Sequence, residues 1–108
     1  QMIQAMVADS QAETYAAECM IMDAARRRDA GEDVTLLASS TKLFATEACG
    51  RVADRAVQVF GGAGYVSDYG IERFYRDVRI FRLYEGTSQI QQIIIARELA
   101  KAAKAGRL

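Results

Sequence analysis

The chain has 108 residues, with 14 Lys and Arg balanced by 14 Asp and Glu, no His, and 51% hydrophobic residues. That is one domain's worth of chain with material for a core, and the composition excludes disorder. Zero formal charge argues against a nucleic-acid binder, and without His neither a His-based triad nor a usual Cys/His zinc site can form.

Pro is absent, and Ala, Arg, Gln and Met are frequent, so the chain reads as all-α. Gln1 opens inside a helical pattern with neither a start Met nor a cap, as expected of a chain cut from a longer one. The first helix is expected from about Met2 to Ala30. Ile3, Met6, Val7, Ser10, Thr14, Ala17 and Ile21 share one face, which Tyr15, Cys19 and Met22 widen. Arg26, Arg27 and Arg28 suit the C-terminal dipole, and Gly31 the C-cap.

The short link Gly31-Glu32-Asp33-Val34 predicts a second helix antiparallel to the first, from about Thr35 to Phe60, with Asp33 or Thr35 as N-cap. Ala38, Thr41, Ala45, Ala48, Val52, Ala56 and Val59 form a stripe of small and medium residues that permits close contact. Cys19 and Cys49 read as buried free thiols in a reducing compartment. No apolar run approaches the roughly 18 residues of a membrane span, and no leader pattern is recognisable, so a cytoplasmic protein is expected.

Gly61-Gly62-Ala63-Gly64 stops the second helix, and a loop is expected to Gly70. A third helix covers about Ile71 to Ile80. The connection Phe81 to Thr87 leads to a fourth helix, about Ser88 to Ala105, with Ser88 and Gln91 in an S-x-x-Q capping box. The architecture predicted is an all-α, up-down helical bundle of two long and two shorter helices.

Three segments could carry chemistry. Gly61 to Gly64 fails as a dinucleotide fingerprint, because a helix precedes it and Ser67 stands where the third glycine belongs. The general reading of that run is a glycine helix stop. Arg73, Arg76, Arg79 and Arg82 recur every third residue, yet Glu72–Arg76 and Arg73–Asp77 pair locally, and Phe74, Tyr75 and Phe81 read as packing residues. Glu85 sits on a Gly-containing connection just before a helix. That position suits a proton-abstracting carboxylate, and equally an acid favoured by the helix dipole.

Taken in order, Gln58-Val59-Phe60-Gly61-Gly62-x-Gly64-Tyr65, Glu72-Arg73-x-Tyr75-Arg76-Asp77, Tyr84-Glu85-Gly86-Thr87-Ser88-Gln89-Ile90-Gln91 and Ile95-Ala96-Arg97 resemble the C-terminal helical domain of the acyl-CoA dehydrogenase family. Lys42-Leu43-Phe44-Ala45-x-Glu47-Ala48 belongs to the same pattern, so the resemblance covers essentially the whole chain.

The resemblance implies oxidation of an acyl-CoA thioester to the 2,3-enoyl-CoA with bound FAD. Glu85 falls on the position of the base that takes the proton α to the carbonyl. A carboxylate in that role works in an apolar, water-excluding pocket. The backbone N–H of Glu85 would polarise the thioester oxygen, with Tyr84 and Gly86 beside the acyl chain. Thr87, Ser88 and Gln89 match a run that contacts FAD. Gln58, Val59, Phe60, Gly61 and Gly62 match a segment at the adenosine-pyrophosphate end of the neighbouring subunit's FAD, which overrides the plain helix-stop reading.

The family often has Pro where Gly70 stands, and some relatives place the base on the first helix and lack Glu85's counterpart. Glu85 implies the commoner arrangement, and speaks against the nitroalkane oxidase branch, which uses Asp. The implied partners are an acyl-CoA substrate, an electron-transfer flavoprotein as acceptor, and further copies of the chain as a dimer or tetramer. An oxidase-like relative and a helical oligomerisation module without chemistry remain the alternatives. With the N-terminal and middle domains absent, the chain alone is expected to hold no FAD and to turn over no substrate.

Overall fold

Two long helices, α1 (Met2–Asp29) and α2 (Thr35–Phe60), dominate the computed structural model, which describes residues 1–107. α1 ends as the glycine signal predicts, with Gly31 at φ 81°. The Glu32 N–H donates to the Arg27 carbonyl and the Gly31 N–H to the Arg28 carbonyl, both at 3.0 Å. This paired arrangement is a Schellman stop. The Asp33 carboxylate then accepts from the Thr35 hydroxyl at 2.7 Å and the Thr35 N–H at 3.0 Å, tying the link to the head of α2. Those two donors hold the Asp33 carboxyl below its usual range.

After Gly61 the chain makes a single helical turn, α3 (Gly62–Tyr65), a 3-10 turn (Ser67–Tyr69), α4 (Ile71–Asp77), a second 3-10 segment (Val78–Arg82) and α5 (Ser88–Lys104). Two expectations change here. The stretch from Gly61 to Gly70 is largely helical rather than loop, and the third helix tightens into 3-10 geometry after Asp77. Tightened turns are common at helix C-termini, where they satisfy the last carbonyls locally. Gly64 explains why α3 folds back on α2: a Cβ there would lie 2.6 Å from the Val57 carbonyl oxygen and 2.9 Å from Phe60 Cβ.

Helix α2 is the hub, with α1 along it and α4, α5 and the second 3-10 segment packed against it. The fold is all-α among the described residues. Its core is thin. Among the described residues Val34, Ala48 and Ala53 are the buried apolar ones, and no large side chain is fully buried.

Part of the predicted α1 face is turned away from α2. Met6, Ser10 and Ala17 are half-buried, but Ile3, Val7, Tyr15, Ile21 and Met22 are exposed. The apolar stripe is wider than one partner helix can cover. Glu13 also draws a different face inward, since its carboxylate accepts from Arg51 and Arg55 on α2, each at 2.7 Å. Arg55 first, with Arg51, holds the Glu13 carboxyl below its usual range, against the opposing effect of burial. The cysteines depart from expectation as well: Cys19 is exposed and Cys49 half-buried. No helix among the described residues is long and apolar enough to cross a membrane.

Candidate functional site

The corner between the second 3-10 segment and α5 gathers the largest set of long-range polar contacts around Glu85. The Leu83 and Tyr84 N–H groups donate to the Ile80 carbonyl at 2.9 and 3.1 Å, closing the 3-10 segment. Glu85 then takes φ 53°, the one positive φ at a non-glycine residue among those described. Gly86 follows at φ 91°. The dihedral favours glycine, and a Cβ there would have to displace Gln91 Nε2, 2.7 Å away.

Two charged residues of α2 hold this corner. Lys42 Nζ donates to the Tyr84 carbonyl at 3.1 Å and, more closely, to the Gly86 carbonyl. The two carbonyls that flank Glu85 are therefore drawn to one cation. Five residues along α2, Glu47 accepts from the Ser88 hydroxyl at 2.7 Å and from Arg82 Nη1 at 3.3 Å. The Ser88 hydroxyl, seconded by the Arg82 guanidinium, holds the Glu47 carboxyl below its usual range, against partial burial. Lys42 and Glu47 were legible in the family pattern but carried no assigned role there. Their signal was two charges inside an otherwise small and apolar stretch of α2.

Glu85 itself is exposed, as are its neighbours Leu83, Tyr84 and Ile90 at 48%, 48% and 46%. The Phe81 and Tyr84 rings lie 5.9 Å apart and tilted by 31°. The acid thus emerges on an open surface rimmed by apolar side chains. The water-excluding pocket the resemblance implies is not closed by this chain.

The predicted capping box is replaced. Thr87 is the N-cap of α5, its Oγ1 accepting from the Ile90 N–H at 3.2 Å. Ser88, one residue inside, turns its hydroxyl to Glu47 instead, and Gln91 reaches back toward the Gly86 carbonyl at 3.4 Å. The pull of Glu47 on Ser88 shifts the cap by one residue. Of the run Thr87, Ser88 and Gln89, only Gln89 has an exposed side chain.

The second candidate segment lies at the other end of α2. Gln58, Val59, Phe60, Gly61 and Gly62 are all exposed. Gly61 ends α2 at φ 61° and ψ −140°, a conformation essentially confined to glycine, and its N–H donates to the Gln58 carbonyl at 3.1 Å. A Cβ on Gly62 would meet nothing within 4 Å. This backbone is uncovered, with Phe60 exposed beside it. Glu47, which binds Ser88 of the other candidate run, stands about 16 Å from Gln58 along α2, so the two runs lie at separate places on that helix.

The arginine ladder makes the local pairs expected of it, Arg76–Glu72 at 2.8 Å and Arg73–Asp77 at 3.5 Å. Arg76, Arg79 and Arg82 also line an open cleft of about 620 Å³ with Arg51 and Arg55 of α2. Phe74 and Tyr75, expected to pack, are exposed at 65% and 48%. Both stand on α4, whose packing against α2 leaves them uncovered.

Residues 1–100 match the family described as acyl-CoA dehydrogenase, C-terminal domain. The chain is 47% identical over 103 residues to cyclohexane-1-carbonyl-CoA dehydrogenase of Geobacter metallireducens, covering 95% of this chain and 27% of that protein. It is 43% identical over 101 residues to the CarC subunit of the caffeyl-CoA reductase–Etf complex of Acetobacterium woodii, covering 94% of this chain and 27% of that protein. The structure of the FAD complex of PigA superposes with a TM-score of 0.89 at 28% identity, over 93% of this chain and 26% of that one. The chain therefore spans about a quarter of the length of these relatives. On sequence and fold together, the chain belongs to the acyl-CoA dehydrogenase family, in the region of its C-terminal domain.

Proposed function

We propose that this chain supplies the catalytic base and part of the FAD site of an enzyme that introduces an α,β double bond into an acyl-CoA thioester. One observation carries the reading: the acid of the family motif, Glu85, stands on a left-handed corner whose flanking carbonyls are tied back to Lys42. A carboxylate presented in this way accepts the proton from the carbon next to the thioester carbonyl. FAD, held in part by Thr87, Ser88 and Gln89, would supply the hydride acceptor for the β-hydrogen, leaving a 2,3-double bond in the acyl-CoA. The exposed Leu83, Tyr84 and Ile90 offer an apolar rim for the acyl chain, which strengthens electrostatic interactions once water is excluded.

The open backbone of Gln58 to Gly62 would receive the adenosine-pyrophosphate end of FAD, and the N–H groups opening α5 at Ser88 and Gln89 would face the flavin. The family resemblance implies that the first run serves a cofactor held mainly by a neighbouring copy, so that the working enzyme is a homo-oligomer. The Etf complex named for one relative supports an electron-transfer flavoprotein as the acceptor. Names of relatives include a dehydrogenase and a reductase, and the same proton and hydride positions serve either direction.

The test is Glu85→Gln in the full-length flavoprotein, mixed anaerobically with acyl-CoA. Flavin reduction should slow by about 10²–10⁴-fold with FAD still bound. Unchanged reduction kinetics would remove Glu85 from the role. Admitting air afterwards distinguishes a dehydrogenase, whose reduced flavin persists, from an oxidase.

A further inference from the structure

We infer that Lys42 is the positioning residue for Glu85: by holding the Tyr84 and Gly86 carbonyls it aims both the carboxylate and the backbone N–H of Glu85 out of the corner. The inference deepens the reading of Glu85 as base and rests on it.

Lysine presents three donors and no acceptor, enough for two carbonyls at once. Lys42 is half-buried, and among the described residues it has no carboxylate partner within ion-pair distance. Its charge is spent on the backbone of the loop instead. The arginines nearby behave differently: Arg51, Arg55 and Arg82 all meet acids. A half-buried ammonium serving two carbonyls has its main effect on where those carbonyls point.

That direction fixes Glu85. A trans peptide is planar, with its C=O and N–H antiparallel, and the chain has no cis bond among the described residues. Turning the Tyr84 carbonyl toward Lys42 therefore turns the Glu85 N–H away from it, to the outer side of the corner. Turning the Gly86 carbonyl the same way bends the chain on both sides of Glu85, which takes the strained φ of 53°. Gly86 permits the bend because glycine adopts its φ of 91° without steric cost. Lys42 thus presents, on one side, the proton acceptor and a donor suited to the thioester oxygen, without itself touching substrate.

The experiment has two arms. In the first, ¹⁵N relaxation of this chain compares the wild type with Lys42→Met, which keeps length and bulk but loses all three donors. Order parameters at Glu85 and Gly86 should fall from about 0.85 to below about 0.6 while those of α2 and α5 hold. A corner that stays equally ordered overturns the inference.

In the second arm, the full-length protein is followed by flavin reduction. Lys42→Met should lower kcat by about 10- to 100-fold, the scale of a 1 Å misplacement, with KM changed little and FAD retained. Lys42→Arg should recover much of that loss. Combined with Glu85→Gln, Lys42→Met should cost less than it does alone, because the share of its effect that acts through the carboxylate is already lost and only the backbone N–H remains to be misplaced. A loss that multiplies in the double variant, or that falls on KM alone, overturns the inference. If Glu85→Gln by itself leaves reduction intact, the reading of Glu85 as base fails, while the relaxation arm still reports on Lys42.

Discussion

The Ser88 hydroxyl donates to Oε1 of Glu47 at 2.7 Å across 41 residues of sequence. This bond pins the first turn of α5 to the middle of α2, and with Lys42 one turn earlier it makes α2 the scaffold of the Glu85 corner. Replacing Ser88 with Ala should cost about 1–2 kcal/mol, the range for a hydrogen bond to a charged partner reduced by partial exposure. Because the Glu47 carboxyl is held below its ordinary 4.5 in the fold, its stabilisation is present above that pH and is lost as pH falls through the lowered native value. Thermal unfolding followed by circular dichroism at about pH 7 and about pH 3 should show the gap between wild type and Ser88→Ala shrinking in acid. A gap that is constant or widens would contradict this linkage.

Gly62 and Gly64 should respond oppositely to substitution. Gly64→Ala places a methyl 2.6 Å from the Val57 carbonyl oxygen, an overpacking expected to cost about 1–3 kcal/mol. Gly62→Ala meets nothing within 4 Å and should leave the melting temperature of the chain unchanged. Gly62→Trp in the full-length protein should lower flavin occupancy, read from the visible absorbance per polypeptide. Full occupancy would place the cofactor elsewhere.

Glu85 holds a dihedral that glycine adopts freely. Glu85→Gly should be more stable than Glu85→Ala by about 1 kcal/mol, since alanine keeps the left-handed strain and glycine relieves it at a smaller entropic cost. Urea unfolding midpoints of the two variants provide the comparison. Equal midpoints would mean that the corner relaxes once the acid is gone.

The wide apolar face of α1 predicts self-association of the chain. Ile3, Val7 and Tyr15 are 48%, 59% and 63% exposed. Exposed apolar side chains along one helix face mark an interface. Light scattering over a concentration series should show mass rising above that of the monomer. A monomer at millimolar concentration would assign these side chains to contacts with other domains alone.

Residue order alone was enough for the three longest helices and most of their ends. Period-3.6 patterning placed α1, α2 and α5 to within about a residue, because helix formation and glycine stops are local effects acting over a turn or two. The family motif likewise singled out Glu85 and the exposed Gln58–Gly62 end of α2. The roles of Lys42 and Glu47 were out of reach, because their partners lie 35 to 44 residues away and no local rule selects a partner at that range. Packing likewise chose which face of α1 meets α2, through Glu13 and two arginines, and moved the cap of α5 from Ser88 to Thr87. Periodicity reports that a face is apolar, whereas the contact that covers it, and the corner conformation of Glu85, are settled by non-local bonds that exist only once α2 stands beside α5.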